Sequence, residues 1–140
     1  MTVENIGKII QIIGAVVDIR FEGEVPSLYH AIKVKKEGDP VVLEVLQHLG
    51  NHRVRCISMH DTDGLTRGME VIDTRAPISV PVGERVLGRM VNVLGDPIDN
   101  KSPIESKNHA PIHRDPPGLM EQNPTPEILE ITGQPVPGGP

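Results

Sequence analysis

Aromatic side chains are almost missing from this 140-residue sequence: Phe21 and Tyr29 are the only two, and tryptophan does not occur. A folded core here has to be aliphatic, built from valine, isoleucine, leucine and methionine. Cysteine is nearly absent as well. Cys56 stands alone, so no internal disulfide can form, a usage that suits a reducing compartment. With no acid or histidine paired to it in sequence, Cys56 reads as a small strand residue rather than a reactive thiol. No apolar run approaches the ~20 residues needed to span a bilayer. The opening stretch Met1 to Asn5 has neither a cationic region nor a signal core, so no direct membrane contact is expected. An excess of positive charge is missing too. A net charge of -5 argues against nucleic acid as the main partner, because phosphate binding needs a basic surface. The 37% hydrophobic and 24% charged content nevertheless belongs to a folded chain rather than a disordered one.

Recognisable chemistry is also lacking. A phosphate-binding loop needs glycines that let backbone N–H groups close around the phosphates, followed by Lys and then Ser or Thr. The one Gly-Lys pair, Gly7-Lys8, is followed by Ile9 and has no glycine upstream. His48 and His52 are four residues apart, as are His109 and His113. That spacing places two metal ligands on one face only in a helix, and Gly50-Asn51 and Pro111 interrupt the two intervals. Asp61 and Asp63 resemble the start of a calcium loop, but Arg67 and Gly68 stand where later ligands are required; a turn is the better reading. Arg53 and Arg55 share one strand face, which suits a solvated or partner-facing surface better than an anion site. No catalytic, cofactor-binding or metal-binding residue is assigned.

What is present is a rhythm of short strands. Val17, Ile19 and Phe21 alternate with Asp18, Arg20 and Glu22, one face dry and the other wet. Ile10 and Ile12 lie on the opposite parity, which predicts a bulge or bend at Gly14-Ala15 that returns both halves to one core. Further strands are expected at Ile32–Val34, Val41–Leu46, Arg53–Met59, Leu65–Ile72 and Ile78–Val82, with turns at Gly38-Asp39-Pro40, Gly50-Asn51 and Asp61 to Gly64. About six short strands at this spacing predict a mainly β fold, a small closed six-stranded barrel. One more strand is expected at Arg89–Leu94. Ten of the 14 prolines fall in residues 97–140, so that region is expected to be mostly extended loop. A helical turn fits Glu127–Glu130, with Thr125 as N-cap and Pro126 at the first helical position. Ile98, Ile104, Ile112, Leu119, Met120, Ile128 and Leu129 are expected to be partly exposed, and the stretch after about residue 100 to be mobile.

Several strings, in order, resemble one family. IGAVVDIRF at 13–21, VLEVLQHLG at 42–50 with its Gln-His-Leu-Gly turn, the run from Val54 to Met59, GLTRG at 64–68, PISVPVG at 77–83 and LGRMVNVLGDPID at 87–99 are similar to successive segments of the beta subunit of the F-type rotary ATP synthase. Pro111-Ile112-His113-Arg114 and Glu127-Ile128-Leu129-Glu130 follow in the family's order. LGR…GxPID also occurs in the related alpha subunit, whereas Gln47-His48-Leu49-Gly50 together with GLTRG favours beta.

The resemblance implies that residues 1–82 are the crown barrel, which packs with alternating alpha and beta neighbours in a ring of six. Residues 83–133 would be the irregular, proline-rich and incomplete start of the α/β nucleotide-binding domain, and 134–140 a Pro/Gly tail unlike the family. The family's ATP or ADP with magnesium is bound by a P-loop, a catalytic glutamate and an aromatic residue that lie downstream of the matched positions. None maps onto this sequence, so catalysis by these residues alone is not expected. After Glu130 the family continues with Thr-Gly-Ile-Lys; here Ile131 precedes Thr132-Gly133, as in a truncated or frameshifted product. The implied location is peripheral, on the cytoplasmic side of a bacterial inner membrane or the organellar equivalent, with coupling to protons or sodium left open. A stand-alone protein-binding barrel is the alternative. An oligonucleotide-binding barrel fits poorly, since the surface is acidic and has almost no stacking aromatics.

Overall fold

The computed structural model describes residues 4–122 and Thr125. Six strands, β1 (Asn5–Ile13), β2 (Val16–Phe21), β3 (His30–Val34), β4 (Val42–Gly50), β5 (Arg53–Ser58) and β6 (Glu70–Pro77), form a closed barrel in the order β1-β2-β5-β4-β3-β6. All neighbours are antiparallel, and β6 pairs back onto β1 from Asn5↔Asp73 to Lys8↔Glu70. Closure leaves no row of unpaired backbone groups at a sheet edge.

The barrel is filled as the composition requires. Ile9, Ile19, Ile32, Leu43, Val45, Val54 and Val71 are buried around Phe21, the single ring of the core, and Cys56 packs among them. Leu65 also reaches this cluster, from a loop rather than a strand.

Six barrel strands are present, but their membership differs from the sequence reading. The segment before Val17 is a strand of its own. β1 and β2 form a hairpin, Ile13 facing Val16 across the two-residue turn Gly14-Ala15, with Gly14 at φ 57°. The parity change is absorbed inside β1 instead, at a bulge between Ile9 and Gln11. Gly7 and Ile9 point inward before it, and Ile12 packs on the core after it. A bulge adds the curvature a small barrel needs.

Gln47 to Gly50 is not a turn. β4 runs through these residues, with register shifts at Val45/Gln47 and His48/Gly50. The turn is Asn51-His52, where φ values of 51° and 57° give both central residues the left-handed conformation that matches strand twist in two-residue hairpins. Leu65 to Met69 is likewise turn, closed by Leu65 N–H to Thr62 O and Met69 N–H to Thr66 O. β6 starts only at Glu70.

The remaining strands lie outside the barrel. Contacts divide the chain into two compact units, Met1–Ile78 and Ser79–Pro140. In the second unit, β7 (Ser79–Pro81) pairs with β8 (His109–Pro111), so the segment expected at Ile78–Val82 contributes no barrel strand, and the proline-rich region contains a strand not anticipated. Arg89–Leu94 is not a strand. One bridge, Val91↔Pro97, spans a tight loop in which the Asn92 carboxamide oxygen accepts from Leu94 N–H and Asp96 N–H. Side-chain capping of this kind competes with a ladder. Short 3-10 turns occupy Glu84–Val86 and Leu119–Glu121. Ile98, Leu119 and Met120 are exposed, Ile104 and Ile112 half-buried. The helical turn expected at Glu127–Glu130, the Pro/Gly tail, Ile128 and Leu129 lie outside the described residues.

Candidate functional site

The barrel interior is occupied by buried aliphatic side chains, so the polar groups on and just inside its wall are the candidates. Inward parity on β1 and β6 places Asn5 and Asp73 opposite each other at the barrel end, both buried. Asn5 Nδ2 donates to Glu24 O at 2.7 Å and to Asp73 Oδ2 at 3.3 Å. Asp73 Oδ1 accepts from His30 Nδ1 at 3.1 Å and from Arg75 N–H at 2.8 Å. Arg75 sits at φ 57°, a backbone geometry this side-chain bond helps hold. Each buried polar atom in the cluster is therefore satisfied, as burial demands. Sequence reading missed it. Continuing the alternation through Val71 would have put Asp73 on the dry face, where a carboxylate needs partners.

On the outer wall Asp18 faces Arg55 across the β2–β5 ladder. Arg55 donates twice, Nε to Oδ1 at 2.8 Å and Nη2 to Oδ2 at 2.9 Å. This forked hydrogen bond holds the Asp18 carboxyl below the usual carboxylate range, with help from the charges of Arg55 and Arg53 and against partial desolvation. Arg55 is raised in turn. It is thus committed to Asp18 rather than open to a second anion. Arg53 makes only a long contact to Gly50 O, 3.4 Å.

The second unit has its own pair. Arg89 grips Asp99 at 2.6 Å and 3.2 Å and also donates to Ser102 O at 2.6 Å. The hydrogen bond from Arg89, then those from the backbone of Met90 and Lys101, hold Asp99 far below the usual range. The contact joins the two ends of the loop around Asn92 and Gly95, a structural use of the Gly88-Arg89 and Pro97-Ile98-Asp99 residues. Separately, a hollow of about 560 Å³ in this unit is lined largely by apolar residues, among them Val80, Val82, Val86, Leu87 and Val91.

The other residues singled out by sequence have structural places. Cys56 is fully buried, and desolvation, with the Asp18 charge adding to it, pushes its thiol up to about 12. His48 Nε2 donates to Pro26 O at 2.7 Å and His52 Nδ1 to Gly23 O at 3.2 Å, so both tie down the β2–β3 connection. His109 lies in β8 opposite Pro81. Asp63 offers its backbone oxygen to Lys36 Nζ at 3.1 Å. Among the described residues no group of three or more His, Cys, Asp and Glu is placed to hold a metal ion.

Gly7-Lys8 does not fit a nucleotide phosphate. Both residues lie within β1, paired with Phe21 and Arg20 on one side and with Val71 and Glu70 on the other. A phosphate cradle requires several N–H groups converging from a loop, whereas this segment is held between two strands.

The barrel is closed around an aliphatic core. Residues 9–75 match the model of the ATP synthase alpha/beta family, beta-barrel domain. The match reaches all six strands of the closed antiparallel barrel. Among the described residues no helix is long and apolar enough to cross a membrane.

Proposed function

We propose that this chain is the N-terminal part of the catalytic beta subunit of an F-type ATP synthase, and that its barrel serves ring assembly beside alpha subunits. The carrying observation is the family match over residues 9–75 coinciding with a closed six-stranded barrel. Gln47 to Gly50 at the end of β4, and Gly64 to Gly68 in the loop before β6, favour beta over alpha by their resemblance. The parent complex makes or hydrolyses ATP coupled to ion movement, with ATP or ADP and magnesium held by residues beyond those matched here. No phosphate-loop sequence occurs here and the Gly7-Lys8 pair lies within β1, so the interactions that stabilise a transferring phosphoryl group are assigned to other residues. The complex places the chain at the membrane surface, on the cytoplasmic or organellar-matrix side, without contact of its own with lipid.

Co-expression with tagged alpha subunits tests the reading. The chain is expected to co-purify with them and to compete with intact beta subunit. A chain that stays monomeric in their presence overturns it and leaves the stand-alone binding barrel, which the full closure of the sheet would permit. ATP turnover by a preparation free of full-length subunit would overturn the assignment of catalysis to other residues.

A further inference from the structure

The outer wall carries three cations on directly opposed rungs. In the registers of β1–β2 and β2–β5, Lys8 faces Arg20 and Arg20 faces Arg53. Their strand neighbours Gly7, Ile9, Ile19, Phe21 and Val54 are the buried ones, so the three cations share the outside. Like charges directly opposite destabilise a sheet. Here two such pairs follow each other, in a chain whose net charge is -5.

Nearby carboxylates leave most of this charge unanswered. Asp18 is occupied by Arg55, although its charge is also felt by Arg53. Glu70, across β1 from Lys8, is paired with Lys35 at 3.5 Å. Arg67 lies beside the same strands, and Glu22 is the one carboxylate there without an ion pair. Among the described residues Lys8, Arg20 and Arg67 have no ion-pair partner.

The surface between these groups is concave. A hollow of about 530 Å³ is lined by the cations Lys8, Arg20 and Arg67, the carboxylates Glu22 and Glu70, the apolar Ile6, Ile9 and Ile10, and Gly7 and Gly68. Strands stand roughly 4.8 Å apart, so the cationic ladder runs about 10 Å and continues past the hollow to Arg53. Along β1 the cation is flanked by apolar side chains, Ile6 on one side and Ile10 at the bulge on the other. We propose that this hollow docks an acidic, extended segment of a partner protein, with its carboxylates on Lys8, Arg20 and Arg67 and its apolar side chains on Ile6 and Ile10. A nucleic acid strand suits it less well, since no aromatic side chain lines the hollow for base stacking. The inference is separate from the ring-assembly reading, since it specifies the chemistry of a partner segment whichever protein supplies it.

The test uses the full chain and a fluorescent peptide of alternating Glu and Val, its Gln-Val counterpart, a single-stranded oligothymidylate and inorganic phosphate. Saturable binding of the Glu peptide is expected, weakening as salt rises, with the Gln peptide roughly tenfold weaker. Arg20→Glu breaks both like-charge pairs. It should therefore raise the melting temperature while weakening the Glu peptide by roughly tenfold. Equal binding of the two peptides, no saturable binding, tighter binding of the oligonucleotide, or displacement of the peptide by low phosphate each overturns the proposal. A melting temperature raised with binding unchanged does so too. A lowered melting temperature would show that the ladder carries no uncompensated repulsion and would likewise overturn it. Arg20→Gln, which removes charge without reversing it, guards against a fold-level artefact: loss of binding by Arg20→Glu that this variant does not share in part also counts against the proposal.

Discussion

Gly7 stands directly opposite Phe21, and the Phe21 ring covers the place where a side chain at Gly7 would begin. A Cβ built on Gly7 would lie 2.9 Å from Phe21 Cε1, 3.0 Å from Arg20 O and 3.0 Å from Ile19 Cγ2. In a core with one aromatic ring, the missing side chain of one strand is made good by the ring of the next, a pairing that rescues glycine within sheets.

Gly7→Ala is therefore expected to destabilise the barrel even though alanine suits a strand better than glycine. Two of the three close neighbours are backbone or β-branched atoms with little freedom to retreat, so overpacking of about 1–3 kcal/mol should outweigh the gain in strand propensity. Phe21→Ala should cost more, about 3–5 kcal/mol, because it empties the centre of the core. Urea unfolding of both variants checks the order; a Gly7→Ala chain as stable as the parent would show that Phe21 can shift.

Asp73→Ala should be among the more damaging polar substitutions. It leaves Asn5 Nδ2, His30 Nδ1 and Arg75 N–H without their shared acceptor, and a buried donor left unpaired costs about 1–3 kcal/mol. The cluster also ties β1 and β3 to β6, so the loss should appear as faster amide exchange at the barrel end near Asn5 as well as a lower melting temperature. A loss confined to residues next to Asp73 would argue that the cluster is local.

The pair formed by Asp18 and Arg55 gives acid sensitivity of a defined sign. The folded carboxyl is held below its ordinary value of 3.8, so its contribution is present above that pH and is lost as pH falls through the folded value. Asp18→Asn should lower the melting temperature near neutral pH, and the difference from the parent should shrink as the pH falls below 3.8. Since Arg55 is well exposed, the effect should be modest and shrink with added salt. A difference that is unchanged in acid would assign the loss to packing instead of charge.

Cys56 should be unreactive toward aromatic disulfide reagents in the native chain and react fully only after denaturation. Its folded value is raised from 9.0 to about 12. An unfolded chain releases this proton first, so the stability due to the neutral buried thiol is intact below pH 9.0 and declines as pH rises from there toward about 12. Rapid labelling at neutral pH under native conditions would contradict the burial of β5.

Much of the barrel was legible along the chain because strand alternation is a local property. Val17, Ile19 and Phe21 declared their inward face, as did Ile32 with Val34. The turns at Gly14-Ala15 and Asn51-His52 were harder to place, because bulges at Ile10 and near the end of β4 shift the parity without any distinctive residue marking them. Asp73 and Asn5 escaped notice for a different reason: each looks like an ordinary surface residue until the other, 68 positions away, is brought beside it.

Residue order by itself determined that this protein would have an aliphatic, single-ring core and short strands of alternating face, since both follow from side-chain type and the period of two. It also carried the ordered motifs that resemble segments of the ATP synthase family. Only the tertiary structure decided which six segments close the barrel. Closure rests on β1 pairing with β6 and β2 with β5, contacts made by backbone groups that every residue possesses. Such hydrogen bonds leave no trace in composition or periodicity, and they alone set Lys8, Arg20 and Arg53 in one line across the wall.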